Sequence, residues 1–420
     1  MTTELRTHQA RSRAIADEER TVAWIRAVVF GFNEPEYSDE GIGRWLGAFI
    51  DQDARMRGVH DLRTGGLRDD RVPVATLGSW DTTVNVGGTL LPANAISDVT
   101  TRTSHRRRGL LRQMMTADLT EAAQRGMPLA ALTVSESGIY RRFGFGPAVQ
   151  KNQIRVRTDA SFRVTTPSTG RIEMVDRGVY LDRVRALFDD YHQRTPGSVD
   201  RGPAADDVLA GLDQPTGKPQ PGFRYALHLD DDNRCDGAVA YKLLEEDSSA
   251  EVRDLVAPNP AVGVALWDFL GHSDLIRTIT QRRARVDDPL RYALAEPDVY
   301  TVENRRDFLW LRVLDVAAVL TARSYLTDGE ITLSVHDEQD FAEGTYRLVA
   351  SNGRGEVERI GDDTDINADV TLDVAALGSV LLGGIGVRTI AAAGHIRGQR
   401  VEDFARLMVC TGAPASITPF

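Results

Sequence analysis

Cysteine is scarce: Cys235 and Cys410 are the only two in 420 residues. That count excludes a disulfide framework and a cysteine-ligated zinc site, and leaves at most one Cys235–Cys410 bridge. Two reduced, buried thiols in a cytoplasmic protein are the plainer expectation. Long apolar runs are missing too. No uninterrupted stretch approaches the ~20 residues of a membrane span, so none is expected. The first residues are polar and lack the apolar core of a signal peptide, and 1–20 are expected to form a flexible N-terminus. Positive charge is in deficit, with Lys+Arg 50 against Asp+Glu 61 and a net charge of −11. Such a chain lacks the basic footprint of a nucleic-acid binder. An acidic surface concentrates cationic substrates such as polyamines or aminosugars, and equally it aids solubility; composition does not separate the two. Familiar chemical motifs are absent as well. There is no G-x-x-x-x-G-K-[ST] and no G-x-G-x-x-G after a strand. There is no H-E-x-x-H, and the eight histidines show no ligand spacing, so no metal is expected. No G-x-S-x-G elbow occurs.

What is present is ordinary globular composition, 42% hydrophobic and 26% charged. The length suggests about three domains, each able to bury a core. Apolar periodicity predicts a helix over 22–30 and another around 43–57, with Trp45, Leu46, Phe49 and Ile50 on one face. Short Val- and Thr-rich stretches at 72–77, 82–86, 89–92 and 95–101 read as consecutive strands. A helix over 110–125 follows, closed by Gly126 and Pro128. Residues 129–134 read as a strand buried on both faces, 139–143 as a short helix, and the next residues as a strand. The Pro/Thr/Ser/Gly stretch 165–170 is a boundary. Beyond it the order repeats: strand 172–175, helix 179–193, strands 225–229, 237–244 and 251–256, helix 261–270. The repeated strand-to-helix turn, Ala257-Pro258-Asn259-Pro260, holds no arginine and no glycine, which predicts a repeat that has lost its ligand loop. Residues 308–313 are expected to open a third unit of helix, four strands and three terminal helices. The predicted fold class is α+β.

The sharpest local signal is Ser104-His105-Arg106-Arg107-Arg108-Gly109-Leu110-Leu111-Arg112, set between a strand and the best helix. A strand-to-helix turn with glycine offers free backbone N–H groups at a positive helix terminus. Arginines add charge-assisted donors suited to phosphate. Three cations at a helix N-terminus oppose the dipole, a cost that a bound anion would offset. A pyrophosphate fits the length of the turn.

Arg106-x-x-Gly109 in this position resembles the acyl-CoA pyrophosphate loop of GNAT-type N-acetyltransferases, pattern Q/R-x-x-G-x-G/A, with Leu111 in place of the last small residue. Together with Ser135-Glu136-Ser137-Gly138-Ile139-Tyr140, Arg142-Phe143-Gly144-Phe145-Gly146-Pro147-Ala148, Phe308-Leu309-Trp310-Leu311-Arg312 and the terminal Phe420, it is similar to the enhanced intracellular survival (Eis) family. The resemblance is strong over 95–150 and thin between 160 and 290. It implies a GNAT acetyl-CoA-binding domain (21–160), a second, degenerate GNAT domain (161–300) and a sterol-carrier-protein-like domain (301–420). It also implies a homohexamer that acetylates aminoglycosides and related amines at several positions. By the same resemblance Val99, Thr100 and Thr101 line the acetyl and pantetheine arm. Arg107, Arg108, Gly109, Leu110, Leu111 and Arg112 hold the pyrophosphate. Ser135 and Glu136 flank the cofactor, Tyr140 is the general acid, and the carboxylate of Phe420 is the general base. The chemistry agrees: a phenol of pKa ~10 stays protonated at neutral pH and can donate to a leaving thiolate. The strand 96–101 can splay from its neighbour and offer N–H groups to the thioester oxygen. Asp98 could meet a cationic substrate, although strand acids more often face solvent. Trp45 could wall an aminosugar pocket, although its spacing with Phe49 also suits a core. Two other functions compete: a protein lysine Nε-acetyltransferase using the same site, and a non-catalytic carrier of apolar ligands.

Overall fold

The computed structural model describes residues 3–62, 71–134, 136–167, 170–244, 248–362 and 367–420. The first unit holds β1 (Thr3–His8), α1 (Glu19–Gly31), α2 (Asp39–Asp51), β2 (Arg55–Asp61), β3 (Ala75–Asn85), β4 (Leu90–Thr101), α3 (Leu110–Gln124), β5 (Leu129–Thr133) and β6 (Gly146–Arg157). The second holds β7 (Arg171–Val175), α4 (Arg177–Arg194), α5 (Pro203–Leu209), the small ladder β8 (Leu212–Asp213) with β9 (Lys218–Pro219), β10 (Phe223–Leu229), β11 (Cys235–Leu244), β12 (Ser249–Val256), α6 (Pro260–Gly271), β13 (Thr278–Ala284), α7 (Leu290–Ala293) and β14 (Tyr300–Val313). The third holds α8 (Val316–Ala322), β15 (Gly329–His336), β16 (Gly344–Ser351), β17 (Arg354–Gly361), β18 (Val370–Asp373), α9 (Val374–Val380), α10 (Val387–Ala392), β19 (Ile396–Gly398) and α11 (Val401–Leu407).

The first two units share one twelve-stranded mixed sheet, in the order β1-β2-β3-β4-β5-β14-β6-β13-β12-β11-β10-β7. The third has its own five-stranded sheet, β17-β16-β15-β18-β19. β14 pairs antiparallel with β5 through Leu309↔Thr133 and with β6 through Tyr300↔Val156. Residues 308–313, expected to open the third unit, therefore complete the first unit's sheet. Their apolar run is buried on both faces because they lie in the middle of that sheet.

The N-terminus departs from expectation too. It is an edge strand: β1 pairs with β2 from Thr3↔Asp61 to His8↔Met56, so the backbone groups on its inner side are satisfied despite the polar side chains. The second helix begins earlier and ends earlier than 43–57. Ser38 Oγ accepts from the Gly41 N–H (3.2 Å) and acids follow in the first turn. Asp53, at φ 48°, then turns the chain into β2. The four short strands expected over 72–101 are two long ones. Polar Asp81 and Thr82 interrupt the hydrophobic pattern but not the β3–β4 ladder. Both cysteines are free and half-buried.

Buried charge fixes α3 on the sheet. Arg57 of β2 meets Asp118 of α3 at 2.5 Å, and both are 1% exposed. Ser79 Oγ and Asn94 Nδ2 donate to the same carboxylate at 2.6 and 2.7 Å. Removing one partner would strand a buried charge, at about 3–5 kcal/mol. A second buried pair, Arg312 to both oxygens of Asp337 (2.7 and 2.8 Å), ties β14 to the third unit.

Candidate active site

β4 and β5 run parallel and pair only from Ala93↔Leu129 to Ile96↔Leu132. Beyond that they part. The cause is a bulge at Asp98, whose φ of 54° is left-handed and shifts the register against β3 between Thr76 and Gly78. Past Ile96 the edge of β4 that faces the gap has no strand to pair with. Thr100 is buried and its hydroxyl lies 2.7 Å from Thr76 Oγ1, so its side chain faces away from the gap. Val99 and Thr101 are half-buried. What this strand offers a thioester is therefore backbone.

The arginine-rich turn follows. His105 is buried, with Nε2 3.0 Å from Asp61 Oδ2, and pins the turn to β2. Arg107 (φ 61°) and Gly109 (φ 78°) are left-handed. A Cβ at Gly109 would meet nothing within 4 Å, so the glycine serves the φ and leaves room for a ligand against the backbone. No side chain caps α3 and no acid lies in its first turn. The first intrahelical bond comes from the Gln113 N–H to Gly109, which leaves the N–H groups of Leu110, Leu111 and Arg112 for a ligand. Arg106, Arg107, Arg108 and Arg112 are exposed around that end, while Leu110 is buried and Leu111 half-buried. Leu111 thus fills core where the pattern has a small residue. This donor set fits a pyrophosphate.

Tyr140 stands between two short 3₁₀ turns, Ser137–Ile139 and Arg141–Phe143, past the end of β5. Its ring is 5% exposed and packs edge-on to Phe145 at 6.2 Å. Burial, then the charge of Glu136, pushes its hydroxyl up to about 12, so it stays a proton donor. Glu136 is exposed; Ser135 lies outside the described residues.

On the other side of the sheet's first unit lies a cavity of about 860 Å³, walled by α2, the later part of β4 at Ser97 and Asp98, residues 199–208 and the chain's last residues. Trp45 and Asp98 both face it. Trp45 packs on Tyr37 (5.3 Å) and Phe49 (5.8 Å), so it is core on one side and wall on the other. Burial, and then Glu34, raises the Asp98 carboxyl to about 7. Arg13 pairs with Asp51, Arg201 with Asp254 (2.9 Å) and Arg177 with Asp207 (2.5 Å). Asp98 and Asp200 line the cavity with no ion-pair partner among the described residues.

Phe420 forms part of the cavity wall. Its ring meets Trp80 edge-on at 5.7 Å, and its terminal oxygen accepts from the Thr133 hydroxyl at the end of β5. The tail docks inward as its apolar residues predict. Thr133, Trp80, Tyr37 and Asp200 carried no signal in the sequence, because only chain crossing brings them to Phe420 and Asp98.

Residues 12–148 and 197–313 each match the acetyltransferase (GNAT) domain family, and 316–416 match the sterol carrier protein domain. An uncharacterized N-acetyltransferase of Streptomyces avermitilis is 33% identical over 405 residues, 92% of each chain. The N-acetyltransferase Eis of Mycobacterium tuberculosis is 32% identical over 331 residues, 76% of this chain and 78% of that one. The crystal structure of Eis1 from Mycobacterium abscessus is similar over 100% of both chains, with a TM-score of 0.80 and 26% identity. The fold class is thus two GNAT domains and a sterol-carrier-like domain. The second GNAT domain lacks the anion turn: Asn259 caps α6 itself, its side chain accepting from the Ala261 N–H at 3.0 Å.

Proposed function

The chain belongs to the Eis family of GNAT-type N-acetyltransferases, and from that premise we propose that it acetylates primary amines of aminoglycosides and related polycationic amines at more than one position. Acetyl transfer and acetyl-CoA as co-substrate follow from the GNAT domains themselves. The substrate class rests on one observation: the cavity of about 860 Å³ sets the unpaired carboxylates Asp98 and Asp200 among Tyr37, Trp45 and Trp80. The arginines of the wall, Arg13, Arg44 and Arg201, are paired with other acids, and two further acids between aromatic faces favour a large cationic ligand.

Acetyl-CoA supplies the acetyl group as an activated thioester. Arg107, Arg108, Arg112 and the free N–H groups at the start of α3 hold the pyrophosphate. The unpaired edge of β4 at Val99–Thr101 aligns the pantetheine arm, flanked by Ser135 and Glu136. Backbone N–H groups there stabilise the developing oxyanion. Tyr140 protonates the departing sulfur. The carboxylate of Phe420 takes the proton of the attacking amine, a role typically worth 10²–10⁴-fold. Asp98 and Trp45 hold the rest of the amine. The same membership supports a cytoplasmic homohexamer as the working form, which sedimentation would read.

Thiol release from acetyl-CoA, measured in parallel with an aminoglycoside, a polyamine and a lysine peptide, tests the reading. The aminoglycoside should show the highest kcat/KM and release more than one thiol per molecule. A preference for the lysine peptide would reassign the enzyme to protein lysines. No release with any amine would favour an apolar-ligand carrier.

A further inference from the structure

The second unit repeats the first down to its strand pairing. β4 and β5 are parallel and part after Ile96↔Leu132; β12 and β13 are parallel and part after Val252↔Gln281. Each leading strand then runs on, to Thr101 or Val256, before the chain enters α3 or α6. In the first unit the chain runs on from β4 into the arginine turn, and Tyr140 follows the end of β5. In the second the gap is shut. Residues 252–255 of β12, Gln281 and Arg283 of β13, and Ile417 of the tail line a space of about 10 Å³, no more than one water could use.

Ile417 is the residue that shuts it. It is 7% exposed and packs in the cluster of Tyr180, Leu187, Phe188, Ala240 and Val256. The tail is tied on both sides of it: the Ala415 N–H donates to Pro196 O at 2.8 Å, and Thr418 Oγ1 donates to Val199 O at 2.9 Å. Both acceptors lie in the second unit. Three residues beyond Ile417, Phe420 meets Thr133 and Trp80 of the first.

We propose that the second unit is the socket of the C-terminal tail: its splayed strands, emptied of cofactor, are filled by Ile417, which fixes where Phe420 stands against the first unit's acetyl-transfer site. One device thus serves twice. Strands that part in one unit admit a thioester, and strands that part in the other admit the protein's own chain. The geometry sets the consequence. Three residues span at most about 10–11 Å, so an anchor at Ile417 confines Phe420 to a small volume. If Ile417 lets go and the Thr418 bond to Val199 goes with it, Ala415 becomes the last anchor, and five residues and about 17 Å lie free. The chance that Phe420 occupies its place falls accordingly. Ile417 is a positioning residue, and its effect on rate rests on the share proposed above for Phe420.

Ile417→Ala and Ile417→Val in the full-length protein test this. Hydrogen exchange over 411–420 reads the socket, amine acetylation reads the chemistry, and calorimetry reads acetyl-CoA binding. Ile417→Ala should speed exchange in the tail at least tenfold and lower kcat at least tenfold, with acetyl-CoA affinity within twofold. Ile417→Val should restore both. Tail exchange unchanged in Ile417→Ala overturns the socket, whatever the rate does. A looser tail with kcat unchanged upholds the socket and overturns the role of Phe420 instead. Should Ile417→Ala fail to fold, Thr418→Val removes only the bond to Val199 and should loosen the tail in the same direction; unchanged exchange there counts against the socket.

Discussion

Asp98 shows how one backbone angle sets local chemistry. Its left-handed φ of 54° both breaks the β4–β5 pairing and places a carboxyl where no cation answers it. Burial and Glu34 raise it to about 7, against about 3.9 in an unfolded chain. The folded protein therefore keeps a proton that the unfolded chain has lost between pH 4 and 7. Stability that Asp98 contributes in acid is lost as pH rises through about 7. Asp98→Asn should raise the melting temperature at pH 8 and change it little at pH 4. The same ionisation should strengthen amine binding, so KM for a polycationic amine should fall between pH 6 and 8 in the wild type and stay flat in Asp98→Asn. Equal slopes would remove Asp98 from substrate contact. Tyr140 is simpler to test, because its ring and hydroxyl separate. Tyr140→Phe keeps the packing on Phe145 and should lower kcat by about 10²-fold or more with acetyl-CoA affinity nearly unchanged. An unchanged kcat would leave Tyr140 as core alone. The acid role proposed for Tyr140 comes from the family resemblance of its motif. That Asp98 and Trp45 share a cavity was not legible in the sequence, since a strand acid and a helix tryptophan look alike whether they face solvent, core or ligand.

At the scale of elements, the turn before α3 was the most legible part of the chain. Arginines and a glycine meet a helix start there in sequence, and local geometry needs nothing else to leave free N–H donors beside them. Arg107→Ala and Arg108→Ala should each weaken acetyl-CoA by roughly 1.5–3 kcal/mol, the worth of a charge-assisted hydrogen bond. A pantetheine thioester lacking the pyrophosphate should feel little of that loss, and equal losses would move the pyrophosphate elsewhere. The corresponding turn before α6 carries Asn259 as its own cap and two prolines without N–H donors. Calorimetry should find one acetyl-CoA per chain; two equivalent sites would restore the second unit as a binder. Element boundaries were less legible. The helix expected over 43–57 stops short of that range because Asp53 is left-handed, although Ala54 and Met56 carry the apolar pattern past it.

For the whole molecule, the decisive feature is that β14 crosses from the second unit into the first. It pairs with β5 and β6 at the middle of a twelve-stranded sheet, so neither GNAT unit is complete without the other. Gly146 and Gly378 then let α9 of the third unit approach this seam, since a Cβ at Gly146 would collide with Ala375 O. The C-terminal tail runs back along the seam to Thr133. Adding one residue after Phe420 keeps its ring but moves the carboxylate by about 3.8 Å. If that carboxylate is the base, the extended protein should lose on the order of 10²–10⁴ in kcat and still bind acetyl-CoA. Full activity would leave the ring as a plug.

The sequence by itself determined what depends on neighbours along the chain: the presence of the main helices, the arginine turn, the loss of that turn in the repeat, and the apolar character of the tail. Hydrophobic period and turn chemistry are local, and they survive without knowledge of partners. Tertiary structure alone decided what depends on pairs far apart in sequence. Thr133 and Phe420 are 287 positions apart, and Asp98 and Asp200 share a cavity only because the second unit folds against the first. The reach of Leu309–Val313 across to β5 is likewise a pairing choice, set by where an apolar strand finds an open edge rather than by the strand's own residues.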